Sequence, residues 1–259
     1  MACFPGIAPL PLATIRDAFQ AVVDGAVDAA VVPIETLAQG TVREACDLLL
    51  ASRLWIAAEV VVPVRLCLAA MPGETLDSVA RVHSHVEALG QAETFLRSRP
   101  WHLVASANTA GAGLAIARGQ ERGVAAVMSP RAASINGLIV LASDIQTDAR
   151  NRTRFLVVTA QQSPAWSLAL EGPPRTSLSI VVGNEPGSLY RALGVLAEQG
   201  INMSKLESRP VRDRDWEYVF WVDLDDDLCQ PARSPVLASL AEAAAEVRLL
   251  GCYRRVGQA

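Results

Sequence analysis

Histidine is scarce in this chain, three in 259 residues, and none falls in an H-x-x-x-H or H-E-x-x-H spacing. The five cysteines, Cys3, Cys46, Cys67, Cys229 and Cys252, are odd in number and never form a C-x-x-C pair. A catalytic metal therefore has no recognisable ligand set, and no metal is expected. The thiols are expected to be reduced and buried, as in an intracellular protein. No G-K-[ST] phosphate loop, G-x-G-x-x-G turn or G-x-S-x-G elbow occurs; Gly183-Asn184-Glu185-Pro186-Gly187 is only superficially similar to a phosphate loop. No cofactor is expected. A net charge of -4 and a pI near 5.5 provide no basic stripe, which excludes nucleic acid as a partner. Long apolar runs are missing too: Trp55 to Met71 is interrupted by Glu59, Pro63 and Arg65, so a membrane partner is excluded. The amino end carries no basic segment before an apolar one, and a cytoplasmic location is expected.

What is present is apolar and patterned. Hydrophobic residues make up 51% and charged residues 19%, with mean hydropathy +0.26, enough for two domains with separate cores. Thr14 with Asp17 marks a helix start, and Ile15, Ala18, Phe19, Val22 and Val23 share one face before Gly25. Ala29–Ile34 reads as a strand, Thr41–Leu50 as a helix and Leu54–Ala70 as a long extended segment. Val79–His83, His102–Ala107, Gly123–Met128, Leu138–Ser143 and Phe155–Thr159 read as further strands. Helices over Val86–Arg97 and Thr109–Gly119 separate some of them. The alternation predicts an α/β domain with parallel pairing.

Gln161-Gln162-Ser163-Pro164 and Gly172-Pro173-Pro174 predict a linker over 161–175. After it, strand 177–182, helix 188–199, strands 203–207 and 217–223, helix 235–245 and strand 247–252 give the order βαββαβ, a ferredoxin-like unit. The acidic run Asp223, Asp225, Asp226 and Asp227 reads as a solvated turn.

Three motifs remain. Val32-Pro33-Ile34-Glu35 precedes Gly40 and Thr41, Asn151-Arg152-Thr153-Arg154-Phe155 opens a strand, and Glu207-Ser208-Arg209-Pro210 follows Glu185-Pro186-Gly187-Ser188-Leu189. In this order the set resembles prephenate dehydratase with a C-terminal ACT regulatory domain. The resemblance implies a two-subdomain, periplasmic-binding-protein-like catalytic domain over 1–160 and an ACT domain over 176–259. Substrate is expected in a cleft between the two subdomains. It also implies conversion of prephenate to phenylpyruvate on the route to L-phenylalanine, with L-phenylalanine as effector. The chemistry suits the residues: prephenate is a dianion that a guanidinium can grip, and its aromatisation needs a proton or hydrogen bond at the departing hydroxyl.

By the same resemblance Thr153 is the catalytic donor, and Glu35, Thr36, Gly40, Asn151, Arg154 and Phe155 line the substrate site. Ser84, His85 and Gln91 match the family's S-H-P-Q-A-L-A-Q segment, with Val86 and Glu87 at its proline and glutamine positions. His85 reads equally as a helix-start residue. Thr109 and Ala110 match a further segment, where an N-cap threonine is a sufficient reading. Gly187, Ser188, Leu189, Asn202, Glu207, Ser208, Arg209 and Pro210 are the implied phenylalanine site. Such domains pair side by side, so a homodimer or homotetramer is expected. The resemblance runs from about Pro11 onward, and the family's opening strand and glycine-rich loop have no counterpart before Ala13, so a truncated catalytic domain is expected. The alternatives are an arogenate dehydratase and a non-catalytic phenylalanine-sensing protein.

Overall fold

The computed structural model describes residue 4 and residues 7–162, 169–211 and 217–256. Cys3 and the Ser163-Pro164 end of the expected linker signal lie outside the described residues. The chain forms two compact units, one of Met1–Thr36, Gly40–Val61 and Arg154–Ala259, the other of Leu37–Gln39 and Val62–Thr153.

The first unit contains α1 (Ile15–Val23), β1 (Ala29–Thr36), β2 (Gly40–Thr41), α2 (Arg43–Ala51) and β3 (Trp55–Pro63). It continues with β9 (Arg152–Thr159), β10 (Leu170–Val181), α7 (Ser188–Glu198), β11 (Met203–Pro210), β12 (Tyr218–Leu224), α8 (Ser234–Ala243) and β13 (Glu246–Val256). Its strands form one sheet in the order β11-β12-β10-β13-β3-β9-β1-β2. Thr14 caps α1 by accepting from the Asp17 backbone N–H, as expected.

The C-terminal βαββαβ order is as expected, but its sheet does not stand apart. β13 pairs parallel with β3 (Arg255 opposite Glu59), while β10 pairs antiparallel with β12 and β13. Period-two alternation divides its two faces. Leu178, Ile180, Val222 and Leu224 pack under α7 and α8, whereas Trp221, Leu250 and Tyr253 join Phe19, Val22, Cys46 and Leu49 in the core beneath α1 and α2.

The second unit holds β4 (Cys67–Ala70), β5 (Arg81–Ser84), α3 (Val86–Gln91), α4 (Glu93–Leu96), β6 (His102–Ala105), α5 (Thr109–Gly119), β7 (Val124–Met128), α6 (Pro130–Ile135) and β8 (Ile139–Ala142). The strand order is β6-β5-β7-β4-β8. β7 is buried at every residue because both sheet faces are covered: Ala125 and Val127 meet Leu89 and Leu96, while Ala126 and Met128 meet Ala112 and Ile116. At Gly113 on α5 an added Cβ would run into the end of the Met128 side chain, which would have to move aside.

Several expectations are corrected. Pairing is mixed rather than parallel: β5 runs parallel to β6 and β7, but β4 is antiparallel to β7 and β8 because it enters the sheet from an extended segment, not a crossover helix. The segment Leu54–Ala70 breaks into β3 and β4 around Val64–Leu66. Residues 170–175 of the expected linker are strand; β10 accommodates Gly172-Pro173-Pro174 in a register shift against β13 between Glu171 and Arg175. Thr41 belongs to β2, opposite Glu35, and α2 starts only at Arg43. Cys229 and Cys252 are joined as a disulfide, with Cα atoms 6.1 Å apart, which ties the loop before α8 to β13; Cys46 and Cys67 are free and buried, as expected. Burial, then the charge of Asp47, pushes the Cys46 thiol up to about 12.

Candidate functional site

β9 carries the central motif. Thr153 is half-buried, and its hydroxyl is engaged by no protein partner among the described residues. Arg154 is the opposite case. Its Nε donates to Glu59 Oε2 at 2.8 Å, Nη1 to Asp223 Oδ2 at 2.6 Å and Nη2 to the Tyr253 hydroxyl at 2.7 Å, while Glu35 Oε2 stands 3.7 Å from Nη1. Burial opposes the charge, but the oxygens of Tyr253, Asp223 and Glu59 outweigh it and hold the guanidinium above its ordinary pKa. Burial, then Asp223, raises the Tyr253 phenol, which stays neutral. The node is completed by Arg175 on Glu59 at 3.0 Å and by Ser177 and Trp221, which donate to Asp223 Oδ1 at 2.5 and 2.7 Å. Arg154, expected to grip substrate, has every nitrogen committed to protein groups.

Asp223 corrects a further expectation. It is not part of a solvated turn but fully buried on β12, because alternation along that strand turns Trp221 and Asp223 toward Arg154. Asp225, just beyond, receives Asn202 Nδ2 at 2.6 Å. Asp227, Cys229 and Cys252 cluster closely, but the disulfide occupies both sulfurs.

The expected substrate residues divide between the units. Glu35, Thr36, Gly40, Arg154 and Phe155 belong to the first, and Ser84, His85, Gln91, Thr109, Ala110, Asn151 and Thr153 to the second. In the first, Gly40 (φ +78°) returns the chain from β1 to β2, and Phe155 packs against a small cluster with Ala58, Val60 and Val256. The second contains a cavity of about 440 Å³ lined by Ala38, Gln39, Glu87, Gln91, Asp148 and Asn151, among others. Asn151 is only 3% exposed, and its Oδ1 has no hydrogen-bond partner among the described residues. Ser84 and His85 are used locally: Ser84 Oγ donates to Val127 O at 2.7 Å, and His85 caps α3 by accepting from the Glu87 backbone N–H. The N-cap of α5 is Asn108, not Thr109, which is its first helical residue.

The expected phenylalanine residues also separate. Gly187 (φ +81°) precedes α7, where the buried Ser188 donates to Glu185 O and Leu189 is half-buried. On β11, Ser208 and Pro210 are exposed whereas Glu207 and Arg209 point inward: Glu207 Oε2 accepts from Thr41 Oγ1 at 3.1 Å, and Arg209 grips Asp47 with two bonds of 2.8 and 2.7 Å. Glu59, Lys205, Asp223 and Tyr253 carried no motif signal; only the strand period of β12 could have pointed to Asp223.

Residues 1–163 match the family prephenate dehydratase, so the match begins before the expected Pro11, and residues 176–228 match the ACT domain. Arogenate dehydratase/prephenate dehydratase 1 of Arabidopsis thaliana is 35% identical over 264 residues, covering 96% of this chain and 67% of that protein. The chain spans about two thirds of the length of the curated relatives it matches. Among solved structures, prephenate dehydratase of Arthrobacter aurescens in complex with L-Phe superposes with TM-score 0.85 at 29% identity, over 97% of this chain and 84% of that one. A quorum-quenching acylase superposes with TM-score 0.86 at 30% identity, over 97% and 90%. The chain belongs to the prephenate dehydratase family and carries a C-terminal ACT domain.

Proposed function

We propose that this chain converts prephenate to phenylpyruvate, with loss of carbon dioxide and water, under feedback from L-phenylalanine. The observation that carries the reading is the similarity to an arogenate dehydratase/prephenate dehydratase along 96% of the chain, together with Thr153-Arg154-Phe155. As the carboxylate leaves as carbon dioxide, its electron pair enters the ring and the hydroxyl departs. The free hydroxyl of Thr153 hydrogen-bonds that oxygen and passes it a proton, so that it leaves as water, and Thr153 regains the proton from solvent. Aromatisation supplies the driving force, so the protein's part is orientation and this one donor. Arg154, locked by three partners, fixes the strand that presents Thr153 rather than gripping substrate. Asn151, with its unpaired Oδ1, and Gln91 contribute from the cavity wall. The exposed face of β11, at the edge of its sheet, suits side-by-side pairing of two ACT domains, so the working form is at least a dimer.

The test is product analysis of purified protein with prephenate, in wild type and Thr153→Ala. Phenylpyruvate should form in wild type, and the turnover number should fall about 100-fold or more in the variant, with Thr153→Ser retaining much more. Equal turnover in wild type and Thr153→Ala places the donor elsewhere. Arogenate, the aminated analogue, is favoured by a separate observation: the charged residues of the cavity wall are Glu87 and Asp148, and Asn151 adds an acceptor, a lining suited to an ammonium. Comparing kcat/KM for the two substrates in one preparation decides between them.

A further inference from the structure

β11 makes its inward contacts through one row of side chains, Lys205, Glu207 and Arg209, and all three reach the first fifty residues. Lys205 is the single lysine of the chain; the other 22 of the 23 Lys and Arg residues are arginine. Its side chain is 10% exposed, with Nζ 3.0 Å from Glu35 Oε1 and donating to Thr41 Oγ1 at 2.8 Å. A compact ammonium can direct separate donors at a carboxylate and a hydroxyl in a tight space, where a planar guanidinium would lay down parallel bonds. The second oxygen of Glu35 faces Arg154. One carboxylate thus stands between a strand of the ACT domain and the arginine that follows Thr153. The seat of β11 also has room to shift, because a cavity of about 530 Å³ is walled by Asp47, Leu50, Arg209, Pro210 and Arg248, among others.

We propose that Lys205 is a positioning residue for Glu35, and that the inward face of β11 transmits the effector's signal instead of binding the effector. Ser208 and Pro210, on the outward face, are left to meet it. The proposal rests on the dehydratase reading and on L-phenylalanine as effector. Movement of β11 withdraws Lys205 from Glu35, and Glu35 then turns toward Arg154 alone. A half-buried carboxylate that keeps or loses a cationic partner has two discrete arrangements, which is what a switch requires.

The experiment uses the full chain, wild type and Lys205→Met, with three measurements: phenylpyruvate formation with and without L-phenylalanine, calorimetric binding of L-phenylalanine, and hydrogen exchange of the peptide spanning Glu35 and Thr41. Wild type should be inhibited about fivefold or more, the lower end of ordinary coupling. Lys205→Met should bind L-phenylalanine within about threefold of wild type, be inhibited less than about twofold, and show no exchange response over that peptide. Wild-type inhibition and exchange response in the variant overturn the proposal. So does loss of L-phenylalanine binding in the variant, which would make Lys205 a ligand, and so does a wild type that binds none. If Lys205→Met does not fold, Asp47→Asn, which loosens the Arg209 pair from the other side, must lower the inhibition factor in the same measurements. A wild type that makes no phenylpyruvate refutes the dehydratase reading, while the exchange response to L-phenylalanine still decides this one.

Discussion

Replacing Asp223 by alanine tests whether the buried ionic node holds the ACT domain to the catalytic part of its unit. The carboxylate is fully buried and accepts three bonds, from Arg154, Ser177 and Trp221. Its removal leaves Arg154 with Glu59 and Tyr253 and leaves Ser177 with the Tyr253 hydroxyl at 2.7 Å, but strips the Trp221 indole N–H of its acceptor in a buried setting. Breaking a buried pair from one side costs about 3–5 kcal/mol, because the remaining charge stays desolvated. For a chain of this size that corresponds to a fall in Tm of roughly 6–20 °C. Asp223→Asn keeps one acceptor and the volume, and should lose less. Turnover should fall with Asp223→Ala as well, although Asp223 belongs to the ACT domain, because Arg154 is the residue after Thr153. The control is Arg150→Ala, whose pair with Asp148 at 3.1 Å is exposed and screened by solvent, so its loss should leave the melt essentially unchanged. Circular dichroism melts and steady-state rates on the three variants are sufficient. An Asp223→Ala protein within about 1 kcal/mol of wild type, with wild-type turnover, refutes the node as a joint.

Gly251 lies where β13 approaches β3, and an added Cβ would sit 2.3 Å from Ile56 O, so Gly251→Ala should cost about 1–3 kcal/mol or more in a denaturant melt. Cys229→Ser opens a loop of sequence separation 23 and should lower stability by about 3 kcal/mol, matched by wild type under strong reductant; equal melts with and without reductant would refute the bridge. Burial raises the Asp225 carboxyl, but the Asn202 hydrogen bond and Arg175 outweigh it and hold it below its ordinary value. The stability Asp225 contributes is therefore fully present above about pH 4 and lost as pH falls through the depressed folded value. Asn202→Ala should diminish that acid-side loss, read from melts between about pH 2 and 5.

The sequence by itself determined the elements whose signals are local. Thr14 with Asp17 fixed the start of α1, the segment 109–119 read as the helix α5 although its cap was misplaced by one residue, and the C-terminal βαββαβ order followed from periodicity and turn residues. The T-R-F and E-S-R-P motifs identified the family because they are contiguous in the chain. Contacts between distant segments were decided only by the tertiary structure. Asp223 looked like one of four acids in a turn until strand pairing placed it beside Arg154, 69 residues away in sequence. Glu207 and Arg209 stand in a contiguous motif, but only the twofold period of β11 shows that their side chains meet Thr41 and Asp47. Cys229 and Cys252 gave no pairing signal, because only the return of β13 beneath the loop before α8 brings them together. A residue's type and its neighbours along the chain set which backbone state it favours. Which charge it meets depends on sheet order and register, and these are settled by burial of whole faces at once.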